Sequence, residues 1–111
     1  MTHLDQEIIL SLKEIMGDEF TDLIETYIRD SQQRLDECVA AMEKQDMEGL
    51  QFAAHALKGS SANLGATGLA NLCLQVETAT KKGDLTSATA PLNQIQSLYP
   101  EVVQALLQTT K

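Results

Sequence analysis

The chain has 111 residues, 43% of them hydrophobic and 22% charged, with a formal net charge of −8. This is an ordinary globular composition, long enough for one hydrophobic core and too short for two, so a single domain over 1–111 is expected. The negative charge disfavours nucleic acid, the scattered Lys and Arg form no basic stripe, and no apolar run approaches a membrane span or a signal core. A cytoplasmic location and no membrane partner are therefore expected. Cys38 and Cys73 lack CxxC spacing and fall at apolar positions of helical patterns, which reads as two buried thiols.

Apolar residues recur at spacings of three and four, so every predicted element is a helix. Asp5 can cap a first, short helix with the face Ile8, Ile9, Leu12, Ile15 and Met16, and Gly17 stops it. A long second helix begins near Asp18 and ends near Lys44. Its stripe is Phe20, Leu23, Ile24, Tyr27, Ile28, Ser31, Leu35, Cys38, Val39 and Met42, while the acidic Asp18, Glu19, Asp22 and Glu25 suit the positive end of the helix dipole. Asp46 caps a third helix running to about Leu64, where Gly65 can supply the left-handed conformation. The fourth begins at Thr67 or Gly68 and packs through Leu69, Leu72, Cys73, Val76 and Ala79; Lys81 and Lys82 favour its C-terminus, and Gly83 stops it. The last segment opens at Asp84, and Ala88, Leu92, Ile95, Leu98, Tyr99, Val102 and Leu106 keep step across Pro100. One kinked helix is predicted, with Pro91 obscuring its start. The fold class is all-α: an antiparallel four-helix bundle with a short additional N-terminal helix.

Function turns on the third helix. Leu50, Ala53, Ala54, Leu57, Ser61 and Leu64 share one side when residues are set 100° apart, and His55 falls about 160° from the centre of that stripe. The imidazole should face solvent. His3, in an N-terminus expected to fray, is read as incidental. Lys58 lies one turn from His55 on the same face and can meet an anionic group carried by the ring. Gly59 costs about 1 kcal/mol relative to Ala in a helix interior and has no capping role there. Its bare backbone can let another protein's surface approach the imidazole, or it can serve a contact between helices.

The run His55-Ala56-Leu57-Lys58-Gly59-Ser60-Ser61-Ala62-Asn63-Leu64-Gly65 resembles the signature of histidine-containing phosphotransfer (HPt) domains, and the helical layout is similar over nearly the whole chain. The resemblance implies a stand-alone phosphorelay intermediate. It would accept a phosphoryl group on His55 from a receiver-domain aspartate of a hybrid sensor kinase and pass it to the receiver of a response regulator. Lys58 would steady the phosphoryl group, and Gly59 would give the receiver clearance. Gln51, Phe52 and Ala62 are candidate partner contacts; Phe52 falls about 60° from His55, although packing against a neighbouring helix is an equal alternative.

Some family members carry a Gln on the following helix that orients the imidazole, and the position aligned with it here is Glu77, next but one to Gln75. A carboxylate there can accept a hydrogen bond from the ring and fix its tautomer, yet it disfavours a nearby phosphate. The plainer reading of Glu77 is an exposed helix charge.

An exposed imidazole is largely unprotonated near neutral pH and can attack an acyl phosphate without a dedicated base. Receivers bring their own divalent metal, so this chain is expected to need no cofactor or metal, and without a phosphate-binding loop it is expected to be a carrier rather than an autokinase. A monomer is expected. The rival readings are a binding module without phosphate chemistry, a metal-assisted hydrolase, which two distant histidines disfavour, and phosphorylation at Ser60 or Ser61, whose hydroxyls should face inward or sideways and bond to carbonyls one turn back.

Overall fold

A computed structural model describes residues 3–111 of the chain, and among them there is no strand. The helices are α1 (Gln6–Met16), α2 (Phe20–Glu43), α3 (Met47–Asn63), α4 (Thr67–Lys81) and α5 (Leu85–Gln108), with a 3-10 turn at Gly17–Glu19 joining the first two. In α2 to α5 each helix packs against the next, and α5 returns to α2, closing an antiparallel four-helix bundle; with α1 the molecule measures 42 × 24 × 20 Å.

Local chemistry explains the boundaries. The Asp5 carboxylate accepts from the amides of Glu7 and Ile8, Asp46 from Gly49, and Asp84 from Ser87, so three of the helices start on an aspartate cap. Helix α2 ends without a glycine; Gln45 instead takes a left-handed φ of 55°. Helix α5 runs as one element through both Pro91 and Pro100, and the Asp84 cap resolves where it begins.

The predicted stripes meet in one core. Every residue of the α3 set is buried, as are Leu69, Cys73, Val76 and Ala79 of α4 and Ala88, Leu92, Ile95, Tyr99, Val102 and Leu106 of α5. Both cysteines are fully enclosed, and burial pushes each thiol up to about 12. Leu23, Ile28, Val39 and Met42 lie at the half-buried margin of α2.

Two expectations fail at the N-terminal side. Ile15 is 78% exposed, because α1 lies outside the closed bundle and meets it along a narrow strip centred on Ile9; Ile15 sits about 120° round from Ile9. The segment before α1 is tied down rather than frayed. Leu4 is buried, the His3 Nε2 approaches Glu101 Oε1 at 3.2 Å, and the Asp5 amide donates to the Gly65 carbonyl at 2.8 Å. Gly65 thus has two duties. Its φ is +77°, and a Cβ there would stand 3.2 Å from both the Asp5 carbonyl oxygen and Ile8 Cβ.

Candidate functional site

Helix α3 buries Leu50, Ala53, Ala54, Leu57 and Ser61 along one side, and His55 lies about 100° round from Ala54, beyond that buried stripe. His55 is therefore outward, with a side chain 67% exposed. Phe52, Gly59 and Ala62 are also exposed, while Gln51 and Lys58 are half-buried at the margin with α4. A Cβ built on Gly59 would meet nothing within 4 Å, so no neighbouring helix requires a glycine there.

Helix α4 supplies what the wheel did not assign. Glu77 is only 3% exposed, not a surface charge as its type suggested, and it reaches across to α3. Its Oε2 lies 2.7 Å from His55 Nδ1, its Oε1 2.5 Å from Lys58 Nζ, and Lys81 Nζ stands 3.6 Å from Oε2. Burial alone would raise this carboxyl; the hydrogen bonds from Lys58 and His55 more than reverse that and hold it below the ordinary glutamate value. Glu77 is therefore an ionised acceptor, and His55 Nδ1 must be the donor. That fixes the tautomer, leaving the lone pair on Nε2, for which the described residues provide no hydrogen-bond partner.

The signal for Glu77 was present in the spacing. Leu69, Cys73 and Glu77 step by four along one side of α4, and Val76 and Thr80 flank it, all of them buried. Gln75, the other candidate, is exposed and faces a different cleft with Leu74, Thr78 and Lys82.

The open cleft beside the imidazole is lined by Glu48, Gln51, Phe52, His55, Glu77 and Lys81. Phe52 is 67% exposed, and the Arg34 guanidinium of α2 lies over its ring at 5.6 Å. The serines take no part in the cleft. Ser60 donates to the Leu57 carbonyl at 3.3 Å, and Ser61, fully buried, pairs with the Tyr27 hydroxyl at 2.7 Å instead of with a carbonyl one turn back. Among the described residues no group of three His, Cys, Asp or Glu side chains is placed to hold a metal ion, and no helix is long and apolar enough to cross a membrane.

Proteins of similar sequence and fold are phosphorelay and phosphotransfer proteins. The chain is similar to the phosphorelay intermediate protein rdeA of Dictyostelium discoideum, at 28% identity over 109 residues. That alignment takes in 96% of this chain but only 39% of the relative, so the chain spans well under half its length. Its fold is similar to the crystal structure of histidine-containing phosphotransfer protein B from Pseudomonas aeruginosa PAO1, with a TM-score of 0.92 and 36% identity over 96% of this chain and 92% of that one. The histidine-containing phosphotransfer protein ZmHP2 from maize shares the fold at a TM-score of 0.83 and 20% identity, covering 97% and 85% of the two chains. The Hpt domain family model matches residues 22–108, and the chain belongs to that family.

Proposed function

We propose that the protein is a phosphorelay intermediate in which His55 Nε2 takes a phosphoryl group from the phospho-aspartate of a receiver domain and yields it to the aspartate of another. The observation that carries this reading is the pairing of Nδ1 with buried Glu77, which leaves the opposite ring nitrogen, with its lone pair, directed outward beside an uncovered helix backbone.

The transfer balances on these groups. The Nε2 lone pair forms the N–P bond while the bond from phosphorus to the donor's carboxylate oxygen breaks, and the electron pair leaves with that carboxylate. Nδ1 keeps its proton, so the phosphorylated ring is cationic, and the Glu77 carboxylate 2.7 Å away stabilises that charge. A ring held protonated is also a good leaving group, which suits a carrier that must release its cargo. The same steps run backward when the next receiver attacks. Positioning and charge neutralisation supply most of the rate in such chemistry, and the receiver brings a divalent metal and acidic side chains of its own. Lys58 contributes a cation from α3, and Gly59 leaves room for the partner's surface. Phe52, Gln51 and Ala62 form the contact area around the imidazole. The chain acts as a carrier, without ATP binding or autokinase activity, and works as a monomer.

The test is incubation with a phosphorylated receiver domain. The expected product carries an acid-labile, alkali-stable phosphate, and His55→Gln abolishes it while leaving helical circular dichroism intact. Persistent labelling of His55→Gln, or an acid-stable product, overturns the reading.

A further inference from the structure

Helix α3 gives the imidazole two polar neighbours on the side from which Glu77 reaches it. With residues set 100° apart, Lys58 falls about 60° and Gln51 about 40° from His55 in the same sense, whereas Phe52 and Gly59 fall in the opposite one. Both Lys58 and Gln51 are half-buried. They differ in how they are engaged. Lys58 Nζ is bonded to Glu77 Oε1 and His55 Nδ1 to Oε2, so the two carboxylate oxygens are already taken, and the Gln51 carboxamide has no share in either contact.

Their places along the helix differ too. Gln51 lies one turn from His55 toward the N-terminus of α3, about 6 Å along the axis, and Lys58 about 4.5 Å toward the C-terminus. A helical side chain leans over the turn that precedes its own Cα, so the His55 ring is carried toward Gln51. Gln51 lines the cleft beside that ring together with Glu48, Phe52 and Lys81. A group bonded to the free Nε2 is therefore delivered to the part of the cleft where the carboxamide stands. A phosphoryl group has three strong acceptor oxygens, and the carboxylates of Glu48 and Glu77 repel its charge. The carboxamide supplies two N–H donors and carries no charge for either carboxylate to capture.

We propose that the Gln51 carboxamide donates a hydrogen bond to the phosphoryl group on His55 Nε2, holding it from the N-terminal side of the ring while Lys58 approaches from the C-terminal side. This rests on the reading of His55 as the acceptor. The competing role for Gln51 is contact with the receiver alone, which would leave the phosphorylated protein unaffected once the receiver has gone. Gln75 provides the control, since it is an exposed carboxamide on α4 that lines a different cleft.

The experiment compares wild type with Gln51→Leu, Gln51→Glu and Gln75→Leu, each charged by the same phosphorylated receiver domain, following the labelling rate and the lifetime of the phosphohistidine after the receiver is removed. Gln51→Leu should shorten that lifetime by about fivefold, the loss expected for one hydrogen bond, and Gln51→Glu, which keeps the shape but repels the phosphoryl group, by more. Gln75→Leu should stay within about twofold of wild type. In nitrogen-15 NMR spectra of the isolated protein, the side-chain amide signals that disappear in Gln51→Leu should shift on phosphorylation, and those that disappear in Gln75→Leu should not. A wild-type lifetime in Gln51→Leu, even with slowed labelling, an equal defect in Gln75→Leu, or unshifted Gln51 amide signals overturns the proposal. Labelling that persists in His55→Gln instead sinks the acceptor assignment, so the two failures are distinguishable.

Discussion

Two polar clusters are buried between the helices of this bundle, and they are built on opposite plans. On one side of α2, Tyr27 pairs with Ser61 at 2.7 Å and Tyr99 with Ser31 at 2.6 Å, and Tyr99 also donates to the Ile28 carbonyl at 3.1 Å. All four residues are buried, and burial pushes the Tyr27 hydroxyl up to about 12, so this cluster is neutral across the physiological range. The Glu77 cluster is charged, and its members are graded from a sealed carboxylate to an imidazole two-thirds exposed. Hydroxyls that satisfy one another fix how α2 sits against α3 and α5 and have nothing left to offer a ligand. A buried anion with partly exposed nitrogen partners keeps one ring nitrogen and one ammonium available to a newcomer.

The distinction can be broken by substitution. The largest expected effect is that of Glu77→Ala on transfer: with Nδ1 released, the ring loses its orientation and its fixed tautomer, and receiver-dependent labelling should slow by about thirtyfold, equivalent to about 2 kcal/mol of barrier. Stability in urea should change far less, since Lys58, Lys81 and His55 can all turn to water; a large loss of stability with normal transfer would make the cluster structural. Ser61→Ala is the converse case. It strands the buried Tyr27 hydroxyl and should lower unfolding free energy by about 1–2 kcal/mol while leaving labelling unchanged, and adding Tyr27→Phe should recover much of the loss. Slowed transfer in Ser61→Ala beyond what unfolding explains would erase the contrast. The smallest effect sharpens it: Gly59→Ala should raise stability by about 0.5–1 kcal/mol, because the new Cβ meets nothing. Thermal denaturation checks that gain, and an unchanged or lowered melting temperature would mean the glycine serves the fold.

The legible part of the molecule was whatever periodicity controls. The α3 stripe, the outward His55 and the left-handed Gly65 followed from a 100° step and from glycine's freedom at positive φ, and all are where that reasoning put them. Glu77 was harder because residue type and position disagreed. A carboxylate reads as surface, and only the histidine and lysine delivered by a different helix make its burial affordable. Sequence spacing within α4 shows a face but not which neighbour completes it. Ile15 failed for the opposite reason: its type was apolar, but α1 is a peripheral helix with too narrow a buried strip to use it. Ser61 was expected to bond along its own helix, and the Tyr27 partner 34 residues away could not be read locally.

The carboxylate bridging α3 and α4 makes the site a yardstick for core packing. Both oxygens of Glu77 are occupied from α3, at 2.7 Å and 2.5 Å, so sliding α4 by a single residue, about 1.5 Å, would break one contact or the other. Misplacements of that size are enough to slow a group transfer severely. The burial of Ala54 and Leu57 on α3 and of Cys73 and Val76 on α4 is thereby a kinetic property as well as a structural one, and looseness in the interior would be felt as lost throughput before it was felt as unfolding.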